Sequence, residues 1–177
     1  MTVYIVLFRG VGGATQLPVK PLREALSAAG FEDVATYINS GNTVLSSPAN
    51  ADEVVAKIAA IVSKKFGFDK AVYALAREEW AALIEHNPFP DAVSEPKLLH
   101  AAVLVGKPGD EKITALRALA TAAERIEIVG NVAYLHTPNG FGTSKMAARF
   151  DKGIGVPNTA RNWNTVTALA RMADAIG

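Results

Sequence analysis

Residues 36–45, Thr-Tyr-Ile-Asn-Ser-Gly-Asn-Thr-Val-Leu, predict a β-hairpin, and this hairpin decides how the first half of the chain folds. The β-branched and aromatic side chains at its two ends suit a pleated, half-buried surface. Between them lie Asn39, Ser40, Gly41 and Asn42, residue types that tolerate a positive φ or hydrogen-bond their own backbone. Pro48 ends the returning strand, because proline has no N–H to donate to a ladder.

A second stretch, residues 126–135, repeats this pattern with Gly130 and Asn131 at its turn. Each hairpin follows an amphipathic helical segment, and each helical segment follows an apolar strand. The strands are residues 3–8 and 98–105, and the helical segments are residues 22–26 and 116–119. Two units of the order β-α-β-β in one chain indicate an internal structural repeat.

The first half also predicts a second helix, which the capping pair Asn50 and Glu53 starts and Gly67 ends. A fourth strand over residues 71–75 completes the ferredoxin-like order β-α-β-β-α-β. The second half shows no clear fourth strand. The predicted fold class is therefore α+β, with two ferredoxin-like subdomains, the second degenerate, and a C-terminal helix. Prolines in the loop from residue 88 to residue 96 place the boundary between subdomains of residues 1–88 and 89–177.

Composition excludes several classes of function. The 177 residues carry a net charge of +1, which gives no global field to attract nucleic acid or an anionic membrane. The absence of cysteine rules out disulfides, thiol nucleophiles and thiolate metal sites. The three histidines stand alone without the spacing of metal ligands, so we expect neither a metal nor a cofactor. No apolar run approaches the roughly 20 residues that span a bilayer, and no signal peptide is apparent, so we expect a cytoplasmic protein without a membrane partner.

The loop from Arg9 to Gly13 is the first candidate site. Gly10, Gly12 and Gly13 expose backbone N–H groups next to the Arg9 guanidinium, and such groups hold anions. Thr15 stands where a dinucleotide fingerprint needs its third glycine, and no Gly-Lys-Ser/Thr of a P-loop follows. The alternative interpretation is a crossover whose glycines let the backbone turn tightly.

The segment of residues 159–165 is the second candidate site. Asn158 or Thr159 is the predicted cap of the last helix, which places Arg161 and Asn162 in its first turn. An arginine there opposes the helix dipole, so we expect an acidic partner within the protein or an anionic ligand. Residues 141–177 carry five basic and two acidic side chains. This basic segment is either a surface that contacts phosphates or an ordinary surface exposed to solvent.

The sequence resembles the bacterial domain-of-unknown-function family 1697 over nearly its whole length. Four motifs carry the resemblance: Arg-Gly and Val-Gly-Gly in residues 9–13, the hairpin from residue 36, His-Asn-Pro-Phe at residues 86–89, and Thr-Ala-Arg-Asn-Trp-Asn-Thr at residues 159–165. The resemblance implies paired α+β ferredoxin-like subdomains and a cytoplasmic protein, with no assigned activity, substrate or cofactor. The first loop here lacks an Ile-Asn pair that the family pattern has.

Three functions fit these residues. The first is non-enzymatic binding of a phosphate-bearing small molecule or nucleic acid through Arg9 and its glycine loop, the turn residues Asn39, Ser40 and Asn42, and Arg161 with Asn162. The second is an enzyme of unassigned reaction type that brings Arg9, Asn39, Ser40 and Arg161 together in one pocket. The third is a self-associating interaction protein. Ser40 lies outside a nucleophile elbow, and no catalytic constellation is apparent, so the first function is favoured.

Overall fold

The computed structural model describes residues 1–12 and 15–177, and this part of the chain contains eight strands and six helices. The strands are β1 Thr2–Phe8, β2 Glu32–Tyr37, β3 Asn42–Ser47, β4 Val72–Ala76, β5 Leu99–Leu104, β6 Arg125–Val129, β7 Val132–His136 and β8 Asn158–Asn162. The helices are α1 Val19–Ala28, α2 Ala51–Phe66, α3 Arg77–Glu85, α4 Asp110–Leu119, α5 Lys145–Gly153 and α6 Trp163–Ile176. Two short 3₁₀ helices, Pro90–Ser94 and Pro96–Leu98, precede β5.

The chain forms two compact units, unit 1 (Met1–Ala82 with Thr167–Gly177) and unit 2 (Leu83–Val166). Each unit contains one four-stranded antiparallel sheet, sheet 1 with the order β2-β3-β1-β4 and sheet 2 with the order β6-β7-β5-β8. The fold class is α+β, as predicted. The prediction that the second half lacks a fourth strand is wrong, because β8 pairs with β5 as β4 pairs with β1.

The two sheets share one register as well as one strand order. Tyr4 of β1 pairs with Ala76 at the end of β4, and His100 of β5 pairs with Asn162 at the end of β8. Tyr4 and His100 therefore occupy equivalent positions, and the other positions of the two sheets can be matched from them, except between Glu32 and Ala35, where the register of β2 shifts.

Unit 1 buries one face of sheet 1 against α1 and α2. The apolar stripe of α1 includes Leu22 and Leu26, which are fully buried, and α2 contributes Val54, Ile58 and Val62. Asn50 caps α2 through a reciprocal capping box with Glu53, as the sequence predicts, and Gly67 ends the helix in the left-handed conformation.

The first hairpin forms as predicted, with its turn one residue earlier than expected. Ile38, which the sequence places in the first strand, lies in the turn with a φ of 51° and is 55 % exposed. Asn42, predicted in the turn, is the first residue of β3. Gly41 lies in the turn with a φ of 75°, and a Cβ there would be 3.1 Å from Phe8 Cδ2. Glycine is thus required by both conformation and packing.

Unit 2 buries one face of sheet 2 against α4 and α5, with Leu116 of α4 and Met146 and Phe150 of α5 in its core. Its hairpin has a two-residue turn, Gly130-Asn131, because Val129 pairs directly with Val132. Gly130 has a φ of 59°, the positive value that a tight hairpin turn takes at its first central position.

The last helix begins later than the sequence predicts. Residues 158–162 form β8, so the expectation that Arg161 and Asn162 lie in the first turn of a helix is wrong. The cap of α6 is Asn162 itself, whose Oδ1 accepts a hydrogen bond from Thr165 N at 3.1 Å. Arg161 therefore does not oppose a helix dipole.

Candidate ligand-binding site

Three segments of unit 1 meet at one end of sheet 1: the end of β1, the β2–β3 turn and the residues before β4. Arg9 N donates to Ala71 O at 3.0 Å, which holds the loop after β1 beside the start of β4. Gly10 has a φ of 74°, and a Cβ there would lie 3.3 Å from Lys70 Cδ. The Lys70 stem thus packs on Gly10, next in the chain to Arg9. This end of the sheet carries two cationic side chains.

Gly12 and Thr15 pair with each other after β1. Gly12 and Thr15 exchange two backbone hydrogen bonds, Gly12 N to Thr15 O at 2.6 Å and Thr15 N to Gly12 O at 3.0 Å. The Gly12 N–H is therefore engaged within the loop and supports the tight-crossover interpretation at that residue. Gly13 lies outside the described residues.

The polar turn of the first hairpin is held by its own side chains. Asn42 is fully buried and its Nδ2 donates to Ser40 Oγ at 2.7 Å, while Thr43 Oγ1 donates to Gly41 O at 2.7 Å. Ser40 and Asn42 thus stabilise the turn, and Asn39 is exposed beside them. The structure places Arg9, Gly10, Gly12 and these turn residues at the same end of sheet 1.

Arg161 and Asn162 belong to unit 2, on β8. Arg161 Nη1 donates to Thr159 Oγ1 and to Ala160 O, each at 2.8 Å. Burial lowers the pKa of Arg161 to about 10, because a charged guanidinium loses hydration inside the protein. These bonds give Arg161 a role in fixing β8.

The equivalent end of sheet 2 repeats the backbone arrangement of sheet 1. Val105 N donates to Pro157 O at 2.9 Å, as Arg9 N does to Ala71 O, and Gly106 has a φ of 95° where Gly10 has 74°. A cavity of about 540 Å³ opens at this end. It is lined by Gly106, Lys107, Pro108, Ile113, Ile128, Gly130 and Asn131. Sequence reasoning missed it, although the Gly-Lys-Pro-Gly run after the second apolar strand marks the place.

A polar cluster around Arg125 lies elsewhere in unit 2. Arg125 donates to both carboxylate oxygens of Asp91, at 2.8 and 3.3 Å, and its guanidinium carbon lies 4.4 Å from the centre of the Phe89 ring. Its Nη2 lies 2.9 Å from His136 Nδ1. The hydrogen bond from Arg125 lowers the pKa of Asp91, while burial followed by the Arg125 charge lowers the pKa of His136. With its guanidinium engaged by Asp91 and His136, Arg125 anchors the Pro90–Ser94 helix.

A smaller cavity of about 310 Å³ adjoins this cluster between α4 and β6. Two of its basic residues are engaged by acids, Arg117 with Glu127 at 3.1 Å and Arg125 with Asp91 at 2.8 Å. Over residues 1–12 and 15–177, no group of three or more His, Asp or Glu side chains is arranged to hold a metal ion.

The fold and the open sheet ends define an α+β protein without an assigned chemistry. Residues 1–134 match the model of the family described as Protein of unknown function (DUF1697), and the chain belongs to that family. It is similar in structure to the conserved bacterial protein SP0830 from Streptococcus pneumoniae, with a TM-score of 0.75 and 22 % sequence identity over 97 % of this chain and 98 % of that one. No curated protein matches the chain. Within the described residues, no helix has both the length and the apolarity to cross a membrane.

Proposed function

We propose that unit 1 binds a phosphate-bearing ligand, a nucleotide or a nucleic acid, at the end of sheet 1 without transforming it. The observation that carries the proposal is the approach of Lys70 to the loop that begins with Arg9, with 3.3 Å between Lys70 Cδ and the Cβ position of Gly10. A lysine against the loop that begins with Arg9 supports a local anion site even though the chain as a whole is nearly neutral. Asn39, exposed in the neighbouring turn, adds a neutral hydrogen-bonding group.

Binding is favoured over catalysis by the state of Ser40. Its hydroxyl oxygen accepts a hydrogen bond from the Asn42 amide instead of facing a general base. A serine nucleophile needs a base within hydrogen-bond reach, and an amide cannot take the proton. The turn serine therefore supports the shape of the site.

The test is a thermal-shift titration at low salt with ATP, inorganic phosphate and a short single-stranded oligonucleotide. A ligand that binds only the folded chain adds about 2.7 kcal/mol of stability at a hundredfold excess over its Kd. We expect Arg9→Gln with Lys70→Gln to weaken the binding about tenfold or more, since each removes a charge-assisted contact.

Lys64→Gln is the matched control, because Lys64 is an exposed lysine of α2 in the same unit. The proposal fails if no probe raises the melting temperature, or if the control variant weakens binding as much as the double variant. In that case, light scattering tests the alternative function, self-association.

The matching order of elements in the two units also supports the finer classification of both as ferredoxin-like folds. The cytoplasmic location and the division into residues 1–88 and 89–177 stay predictions. Limited proteolysis with mapping of the first cleavage sites tests that division.

A further inference from the structure

The 540 Å³ cavity at the end of sheet 2 has the size of a small-molecule site, since such sites measure roughly 300–1,000 Å³. Its walls are Pro108 from the loop after β5, Ile113 from α4 and Ile128 from β6. Pro108 is buried, and the two isoleucines are only partly buried although they pack against the core of unit 2. The cavity therefore exposes apolar surface that a ligand can cover.

At the equivalent place in unit 1, an arginine covers the side chain that corresponds to Ile128. Thr36 is the equivalent of Ile128, and Arg23 from α1 donates to Thr36 Oγ1 at 2.6 Å. In unit 2 the corresponding arginine, Arg117, instead turns to Glu127 at 3.1 Å. An isoleucine offers no acceptor to an arginine, so the apolar wall stays uncovered on this side.

Charge narrows the class of ligand. Lys107 is the single charged residue among those that line the cavity, and it is exposed at its edge. Asn131, also exposed at the edge, adds an amide donor. A lysine ammonium attracts an anionic group, while its neighbours Pro108 and Ile113 offer apolar contact.

We infer that this cavity binds a small carboxylate with an apolar body, the carboxylate at Lys107 and the body between Ile113 and Ile128. This site is independent of the proposed phosphate site, because it lies in the other unit and selects apolar ligands. A variant that abolishes binding at one site therefore leaves binding at the other intact.

The test uses 4-phenylbutyrate and its uncharged counterpart 4-phenylbutyramide, titrated into the ¹⁵N-labelled full chain and followed by amide shifts in NMR. We expect saturable shifts at Gly106, Ile113, Ile128 and Gly130 with the carboxylate. The amide should bind about fivefold more weakly, the effect of one exposed charge contact. Lys107→Gln should remove that difference, and Ile128→Trp should weaken both probes by filling the cavity.

Lys112→Gln is the control, because Lys112 lies on α4 outside the lining of the cavity. The inference is overturned if the wild-type shifts do not saturate, if they map to other residues, or if the two probes bind equally well. These readouts need only the wild-type chain, so they decide the question even if Ile128→Trp fails to fold.

Discussion

Unit 1 and unit 2 have the same strand order and the same register but different side chains at equivalent places. Leu75 on β4 and Arg161 on β8 are equivalent, because each pairs with the residue that follows Tyr4 in β1 or His100 in β5. Leu75 is opposite Ile5, whereas Arg161 is opposite the smaller Ala101. The fourth strand of a unit thus accepts a long cationic side chain where the facing residue of the neighbouring strand has a small side chain. The backbone architecture tolerates apolar or polar side chains at the same site.

A similar contrast occurs between β2–β3 and β6–β7. Ser46 of β3 donates to Asp33 at 2.9 Å, and at the equivalent place of β7 His136 faces Arg125. In unit 1 the Ser46 hydroxyl finds its hydrogen-bond partner within the hairpin. In unit 2 the Arg125 guanidinium also donates to Asp91, which lies in the preceding 3₁₀ helix. The second unit has therefore placed more of its ionisable groups in its sheet.

The largest predicted effect comes from making unit 1 resemble unit 2. Leu75→Arg places a cation beside the bulky Ile5. Tyr73 stands where unit 2 has Thr159, and its hydroxyl lies at the far end of a ring instead of next to the backbone. We expect the free energy of unfolding to fall by about 4 kcal/mol, through the buried charge and overpacking. Urea denaturation measures it. Leu75→Met, which keeps the volume, should cost less than about 1.5 kcal/mol. If Leu75→Arg costs less than about 1.5 kcal/mol, unit 1 tolerates a cation at this position as unit 2 does.

The two hairpin glycines give the next effect. Gly41→Ala combines a positive φ of 75° with a Cβ 3.1 Å from Phe8, so we expect a loss of about 3 kcal/mol. Gly130→Ala has the positive φ of 59° with no atom within 4 Å of the new Cβ, and only about 1 kcal/mol should be lost. Thermal unfolding of both variants gives the comparison. Equal losses would mean that packing at Gly41 contributes nothing.

A smaller effect than those of Leu75→Arg and Gly41→Ala is a dependence of stability on pH, which unit 2 gains through His100, the equivalent of Tyr4. Burial lowers the pKa of His100 from 6.5 to about 4. Between these values the unfolded chain binds more protons than the folded one, so stability falls as the pH falls from 6.5 towards 4. At pH 5 the loss should be about 2 kcal/mol.

The variant His100→Phe isolates the contribution of His100 to the pH dependence of stability. It retains an aromatic ring for the stack with Phe141, whose ring centre lies 3.8 Å from that of His100. Urea unfolding at pH 7.5 and pH 5 should show a smaller difference in the variant than in the wild type. His136, whose pKa is also lowered, contributes in the same direction and remains in both proteins. The same pH difference in both proteins would exclude His100 as its source.

The sequence contains enough local information to predict both hairpins and the helices α1 and α2. Gly41 and Gly130 stand where the backbone needs a positive φ, and the Asn50–Glu53 pair marks a helix start by its own chemistry. The prediction that Ile38 lies in a strand is wrong because a β-branched residue rarely adopts a φ of 51°, so its strand propensity opposes its place in the turn.

The strand β8 is the clearest case of tertiary structure overriding local preference. Its residues, from Asn158 to Asn162, are mostly polar and include two residue types that cap helices. Pairing with β5 uses backbone groups, which any side chain permits, and the true helix cap comes four residues later at Asn162. The approach of Lys70 to Gly10 and the cavity beside Lys107 likewise depend on segments that are distant in sequence, and the Gly-Lys-Pro-Gly run after β5 gives a local sign of the cavity alone.

The assignment of Thr167–Gly177 to unit 1 has a consequence for how the protein is made. On the ribosome, β1 to β4 emerge first, but the last segment of unit 1 emerges only after all of unit 2 has been synthesised. At translation rates of about 5–20 residues per second this delay is on the order of ten seconds. Sheet 1 must spend that interval without its C-terminal segment. Unit 1 can therefore complete its fold only after the whole of unit 2 has been made, whereas unit 2 is one continuous stretch of the chain.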